Sequence, residues 1–153
     1  MKKLIIAFVL AAGCRSTTTT STSATPAPVI RGNESGAADP EAAVRGFMTA
    51  VEQQDLQLMG ALFGDVDGPA RDRLSRTELE QRESIMMCYL KHDKYAIIGD
   101  APVPGGTRAY AVNLTLGTAT HSATFELVQG PGRRWYVKSI PDFAKLQEFC
   151  QRR

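Results

Sequence analysis

Two histidines, three cysteines and 16 carboxylates are spread over 153 residues, so few side chains suit acid–base, nucleophilic or metal chemistry. His121 is the best placed of them. Alternation along 119–128 puts it on one predicted face with Ala119, Ala123, Phe125 and Leu127, the side that something must cover. Imidazole changes charge near neutral pH, so His121 would suit a general base, with Tyr110 as hydrogen-bond donor and Tyr95 and Trp135 completing a candidate pocket. The competing reading is a histidine hydrogen-bonded in the core or lying at a sheet edge, and no Asp or Glu occupies the predicted inner face of the strands. His92, beside Asp93 at a charged helix-to-strand junction, reads as part of a solvated turn.

The carboxylates read as structural. Asp39, Asp55, Asp65, Asp67 and Asp100 fall where caps and turns are expected. Asp65-Val66-Asp67-Gly68 has the flavour of a calcium loop but lacks its further oxygen ligands and terminal glutamate, so no metal site is expected. Arg71, Arg73, Arg76 and Arg82 are interleaved with Asp72, Glu78, Glu80 and Glu83, the pattern of a mixed, solvated helical face. Arg133 and Arg134 flank a turn and are expected to face water. The sequence contains no Gly-x-Ser-x-Gly, phosphate loop, His-Glu-x-x-His or Cys-x-x-Cys, so no cofactor is expected and either cysteine outside the leader is a poor candidate nucleophile.

The elements that must position these groups begin after a leader. Lys2 and Lys3 precede the apolar run 4–13, which is too short to span a bilayer as a helix. Positive start, apolar core and small residues at Ala11-Ala12-Gly13 make a secretory signal over 1–13. Leu10-Ala11-Ala12-Gly13-Cys14 resembles the lipobox of bacterial lipoproteins, with Ala11 where leucine is commonest. That resemblance implies acylation of Cys14 and a membrane partner reached through a lipid anchor. Arg15, not aspartate, follows the cysteine, which by the same resemblance favours the outer membrane, facing the periplasm. Nine of the ten residues 16–25 are Ser or Thr, followed by Pro26 and Pro28, so 14–38 reads as a lipidated cysteine and disordered tether before a domain over 39–150. The formal charge of +2 includes both leader lysines; without them 16 cations meet 16 carboxylates, and no nucleic-acid partner is expected.

Asp39-Pro40-Glu41 starts a helix whose stripe is Val44, Phe47, Met48 and Val51, and Asp55 caps a shorter one carrying Leu56, Met59, Leu62 and Phe63. Residues 64–69 break the pattern. Ser75 and Glu78 have capping-box spacing ahead of a third stripe of Leu79, Met86, Tyr89 and Leu90. The period then becomes two, predicting strands at about 94–100, 107–116, 119–128 and 134–140 with short antiparallel connections. In the tail, Phe143, Leu146 and Cys150 predict a short amphipathic helix. Helices first and a meander afterwards make an α+β domain with about four strands.

Ala43-Val44, Phe47, Ala50, Asp55, Leu62-Phe63, the strand over 94–100, Gly105-Gly106 before Ala109-Tyr110-Ala111-Val112, and Phe125-Glu126-Leu127-Val128 before Trp135-Tyr136-Val137 resemble the NTF2-like superfamily, in its DUF4878-type lipoprotein variant. The resemblance covers about 39–140 and implies a cystatin-like cone whose curved sheet and helices enclose a pocket. It implies no particular activity, since the superfamily holds isomerases, dehydratases and ligand binders. Enzymes of the isomerase or dehydratase sort usually bring a pocket carboxylate, which these strands lack. The favoured expectation is a non-enzymatic envelope module binding a small apolar ligand or an envelope protein. The alternatives are an isomerase- or dehydratase-like enzyme using His121, and a structural envelope protein. With Cys14 acylated, Cys88 and Cys150 remain as an even pair in an oxidising compartment, and a disulfide between them is expected to fasten the tail.

Overall fold

Asp39 opens the first helix as its position predicts. In the computed structural model, which describes residues 34–151, its carboxylate accepts the Ala42 N–H at 2.7 Å and Pro40 takes the first helical turn, giving α1, Pro40–Gln53. Gln54, in the left-handed conformation, ends it. Asp55 accepts the Leu58 N–H at 3.0 Å and starts α2, Leu56–Leu62. The predicted break at 64–69 is a tight ribbon of β1, Gly64–Asp65, and β2, Gly68–Pro69, whose turn is fixed by Asp65 accepting from the Asp67 N–H. A 3-10 turn, Ala70–Asp72, leads to α3, Arg76–Tyr89, capped by Ser75.

A four-stranded antiparallel meander follows: β3, Lys94–Val103; β4, Thr107–Leu116; β5, Ala119–Gln129; β6, Trp135–Ser139, in spatial order β3-β4-β5-β6. The chain closes with a 3-10 turn, Phe143–Leu146, and α4, Gln147–Gln151. The fold is therefore α+β, helices before an antiparallel sheet, with a short C-terminal helix. The apolar phases predicted for β4 and β5 are those that point inward: Tyr110, Val112 and Leu114 face α1 beside Ala123, Phe125 and Leu127, and all six are buried. Phe47 of α1 meets Phe125 edge to face, ring centroids 6.2 Å apart. Each large side chain so buried contributes roughly 1.5–3 kcal/mol. Register shifts at Ile97/Gly99 and Glu126/Leu127 are bulges, which bend and twist their strands.

Three expectations need correction here. β3 runs three residues past 100 and includes Pro102, tolerated because β3 is an edge strand with one side unpaired. The last five residues of the expected tether, 34–38, belong to the folded unit: Ala37 and Trp135 exchange two backbone hydrogen bonds of 2.9 Å, and the Gly36 N–H reaches Ala61 O at 2.8 Å. Arg134, expected to face water, is half-buried and donates to Ser35 O at 3.2 Å and Gly36 O at 2.7 Å, while Arg71 holds the Ser35 hydroxyl at 2.6 Å. Gly36 is required there, since its φ is +69° and a Cβ would lie 2.7 Å from both Arg134 Cβ and Tyr136 Cζ. The leader, Cys14 and the chain through residue 33 lie outside the described residues.

Candidate functional site

The sequence-derived pocket residues share the inner face of the sheet but not one location. Tyr110 pairs with Phe125 and His121 pairs with Leu114, so along β5 the two are four residues, roughly 14 Å, apart. Trp135 lies opposite Gln129, eight residues from His121, or roughly 27 Å. Tyr95 stands in the His121 row, but across β4, about 10 Å away. Between the two ends the core is packed: Phe47, Met48, Phe125, Leu114, Leu127 and Phe149 are fully buried in one cluster. Burial pushes the Tyr110 hydroxyl above its ordinary range, which favours a neutral phenol.

His121 is partnered from outside the sheet. Its Nε2 forms an ion pair with Glu148 of α4, and its ring meets Phe149 edge to face at 5.0 Å. A carboxylate does reach this histidine, then, from the tail rather than from a strand. The same tail is fixed by a Cys88–Cys150 disulfide, with Cα atoms 4.7 Å apart, as the cysteine pairing predicts. Tyr89 stacks on Phe143 at 4.6 Å, and Asp142 accepts from Lys145 at 2.7 Å and from Thr124 at 2.9 Å, which, Lys145 first, holds its carboxyl below the usual range. His121 sits at the sheet end and joins α4 to β5.

His92 is a correction. Its ring is wholly buried, not in a solvated turn: Nδ1 lies 2.8 Å from Leu90 O, Nε2 lies 3.2 Å from Glu52, and Tyr95 abuts it at 5.5 Å. Only its neighbours Lys91 and Asp93 remain exposed, which is why the local charge pattern misleads.

The group that the sequence reading placed wrongly and that bears most on function is Glu83. Its arginine neighbours are paired at the surface, Arg76 with Glu80 at 2.7 Å, Arg82 with Glu78 at 2.8 Å and Arg73 with Asp65 at 2.7 Å. Glu83 itself is 0% exposed, and neither carboxylate oxygen has a hydrogen-bond partner among the described residues. It packs on α2 where Gly60 has no side chain: a Cβ on Gly60 would stand 2.6 Å from Oε1. Burial first, then the charges of Glu80 and Asp55, pushes this carboxyl up to about 7. The signal was available in the spacing: Leu79, Glu83, Met86 and Leu90 follow helical periodicity, so Glu83 belongs to the apolar stripe.

Glu83 and Gly60 line a cleft of about 520 Å³ between α2 and α3, with Leu56 and Leu79 as apolar walls and Gln57 and Arg76 at its lip. A pocket with apolar walls and few polar groups is a usual form of small-molecule site. No protein-family model matches this chain, and no curated protein matches it. The site must be read from its own chemistry.

Proposed function

We propose that this protein is a membrane-tethered lipoprotein of the bacterial cell envelope whose domain, an NTF2-like cone of the DUF4878 type, is a non-enzymatic binding module. Cys14 carries the lipid, the Ser/Thr-rich segment spaces the domain from the membrane, and the outer membrane is the favoured site. The Cys88–Cys150 disulfide supports export, because such bonds persist in oxidising compartments. No helix among the described residues is long and apolar enough to cross a membrane.

The observation that carries the binding reading is the contrast between the sheet face and the α2–α3 cleft. The inner face is packed with the domain's own side chains and spreads His121, Tyr110 and Trp135 too far apart to act on one atom. The cleft instead combines open volume with a buried polar group lacking a protein partner. Binding is therefore assigned to that cleft rather than to the mouth of the cone. Recovery of the protein from its native envelope, followed by mass spectrometry, tests both halves: an acylated N-terminal Cys14 and a co-purifying occupant are expected. Cys14→Ala is expected to move the protein out of the membrane fraction. A soluble wild-type product cut elsewhere would sink the anchor, and a lipidated product that binds nothing would sink the module.

A further inference from the structure

We infer that the α2–α3 cleft binds small ligands that carry a protonated amine, with the Glu83 carboxylate receiving the ammonium group. The inference deepens the binding-module reading and is independent of the lipid anchor.

The argument starts from what surrounds Glu83. Its carboxyl group is fully buried, and neither oxygen is satisfied by the described protein. A buried acceptor left in this condition costs free energy unless something donates to it. The two nearby cations are committed elsewhere. Arg76 is paired with Glu80 at 2.7 Å, and Arg71 holds the Ser35 hydroxyl at 2.6 Å and approaches Asp72 at 4.0 Å. From α2 the facing groups are Gln57 and the capping carboxylate of Asp55, from the 3-10 turn Arg71, and from α3 Arg76 and Glu80. Asp55 and Glu80 both oppose ionisation of Glu83. A ligand cation reverses that relation: Glu83, Glu80 and Asp55 attract it, while Arg76 and Arg71, which also line the cleft, oppose it and are offset in part by their own contacts with Glu80 and Asp72.

Shape limits the ligand in the same direction. Gly60 leaves the space in which the Glu83 carboxyl lies, and Leu56 and Leu79 offer apolar walls to a short aliphatic or aromatic body. Arg76, its side chain 86% exposed and paired with Glu80, stands at the lip. A volume of about 520 Å³ suits a small molecule. The chemical class is therefore a primary amine on a compact apolar frame, entering with its charged end toward Glu83, whose carboxyl, closed to solvent in the Gly60 notch, turns toward the cleft to meet it. The Glu83 carboxyl titrates at about 7, so binding at pH 7 completes its ionisation and releases up to about half a proton per site.

n-Butylamine is the probe, and n-butanol is its neutral counterpart. Titration of each into the purified full chain, in two buffers of different ionisation enthalpy, reads affinity and proton release; carboxyl carbon NMR reads Glu83 directly. The amine is expected to bind, shift the Glu83 resonance, lower its titration midpoint and release protons at pH 7. Glu83→Gln is expected to weaken amine binding roughly 10- to 100-fold, the loss of a charged hydrogen bond. Equal binding of butanol, equal affinity in Glu83→Gln, or a Glu83 resonance unmoved by saturating amine would each overturn the inference. If Glu83→Gln folds poorly, the wild-type NMR and proton-release measurements still decide. A co-purified occupant bound elsewhere, with no response to the amine, overturns the cleft assignment and leaves the binding module intact.

Discussion

The middle of α3 and its C-terminal end solve the problem of buried polarity in opposite ways. Near its C-terminus, α3 is bonded to α4 through Cys88–Cys150, and the groups around that junction have partners: His121 with Glu148, Asp142 with Thr124 and Lys145, His92 with Leu90 O and Glu52. One turn and a half earlier, Glu83 is more deeply buried than most of these and has none among the described residues. A satisfied cluster fixes a structure; an unsatisfied carboxyl lowers stability, and beside an open cleft it marks a place where a ligand would restore what the protein leaves out.

The largest effect is expected at the satisfied end. Replacing both Cys88 and Cys150 by serine frees a 62-residue separation, and denaturant unfolding should show a loss of about 4 kcal/mol. Phe149→Ala, which empties a fully buried site beneath α4, should cost a comparable ~3–5 kcal/mol.

At the middle of the helix the sign reverses. The Glu83 carboxyl titrates at about 7 against an ordinary 4.5, so between those values the folded protein holds more protons than the unfolded chain. Its contribution is fully present below 4.5 and is lost as pH rises through 7, a penalty of up to about 3 kcal/mol at alkaline pH. Glu83→Met should therefore stabilise the protein at pH 8, do little at pH 4, and flatten the fall in between. An unchanged slope would show that Glu83 ionises freely and would erase the contrast between the middle of α3 and its C-terminal end. The smallest effect is expected for His121→Ala. Its ion pair is one-third exposed on the histidine side, so thermal unfolding should report about 1 kcal/mol, together with faster amide exchange in α4. A change as large as that of Phe149→Ala would mean that His121 does more than hold the tail.

What the sequence made legible is what depends on neighbours in the chain. Asp39, Asp55 and Ser75 were readable as caps because each acts on an N–H three residues away. The inward phase of β4 and β5 was readable because alternation is local, and the Cys88–Cys150 pair because only two cysteines remain after the leader. Glu83, His92 and Arg134 were misread because what decides each is remote. Gly60 admits the first, Glu52 and the end of α1 enclose the second, and Ser35 and Gly36, almost a hundred residues upstream, engage the third. The candidate site is hidden in the sequence for a related reason: at position 83 a charged side chain occupies the apolar phase of the helix.

The attachment of residues 34–38 to β6 also determines where force enters the domain. Tension arriving from the N-terminal side meets the Arg134 and Arg71 grip on Ser35 and Gly36, then the two Ala37–Trp135 hydrogen bonds, before it reaches the Asp39 cap of α1. Those contacts act as a strain relief. Under repeated tugging they would yield and reform before the Asp39 cap of α1 takes the load.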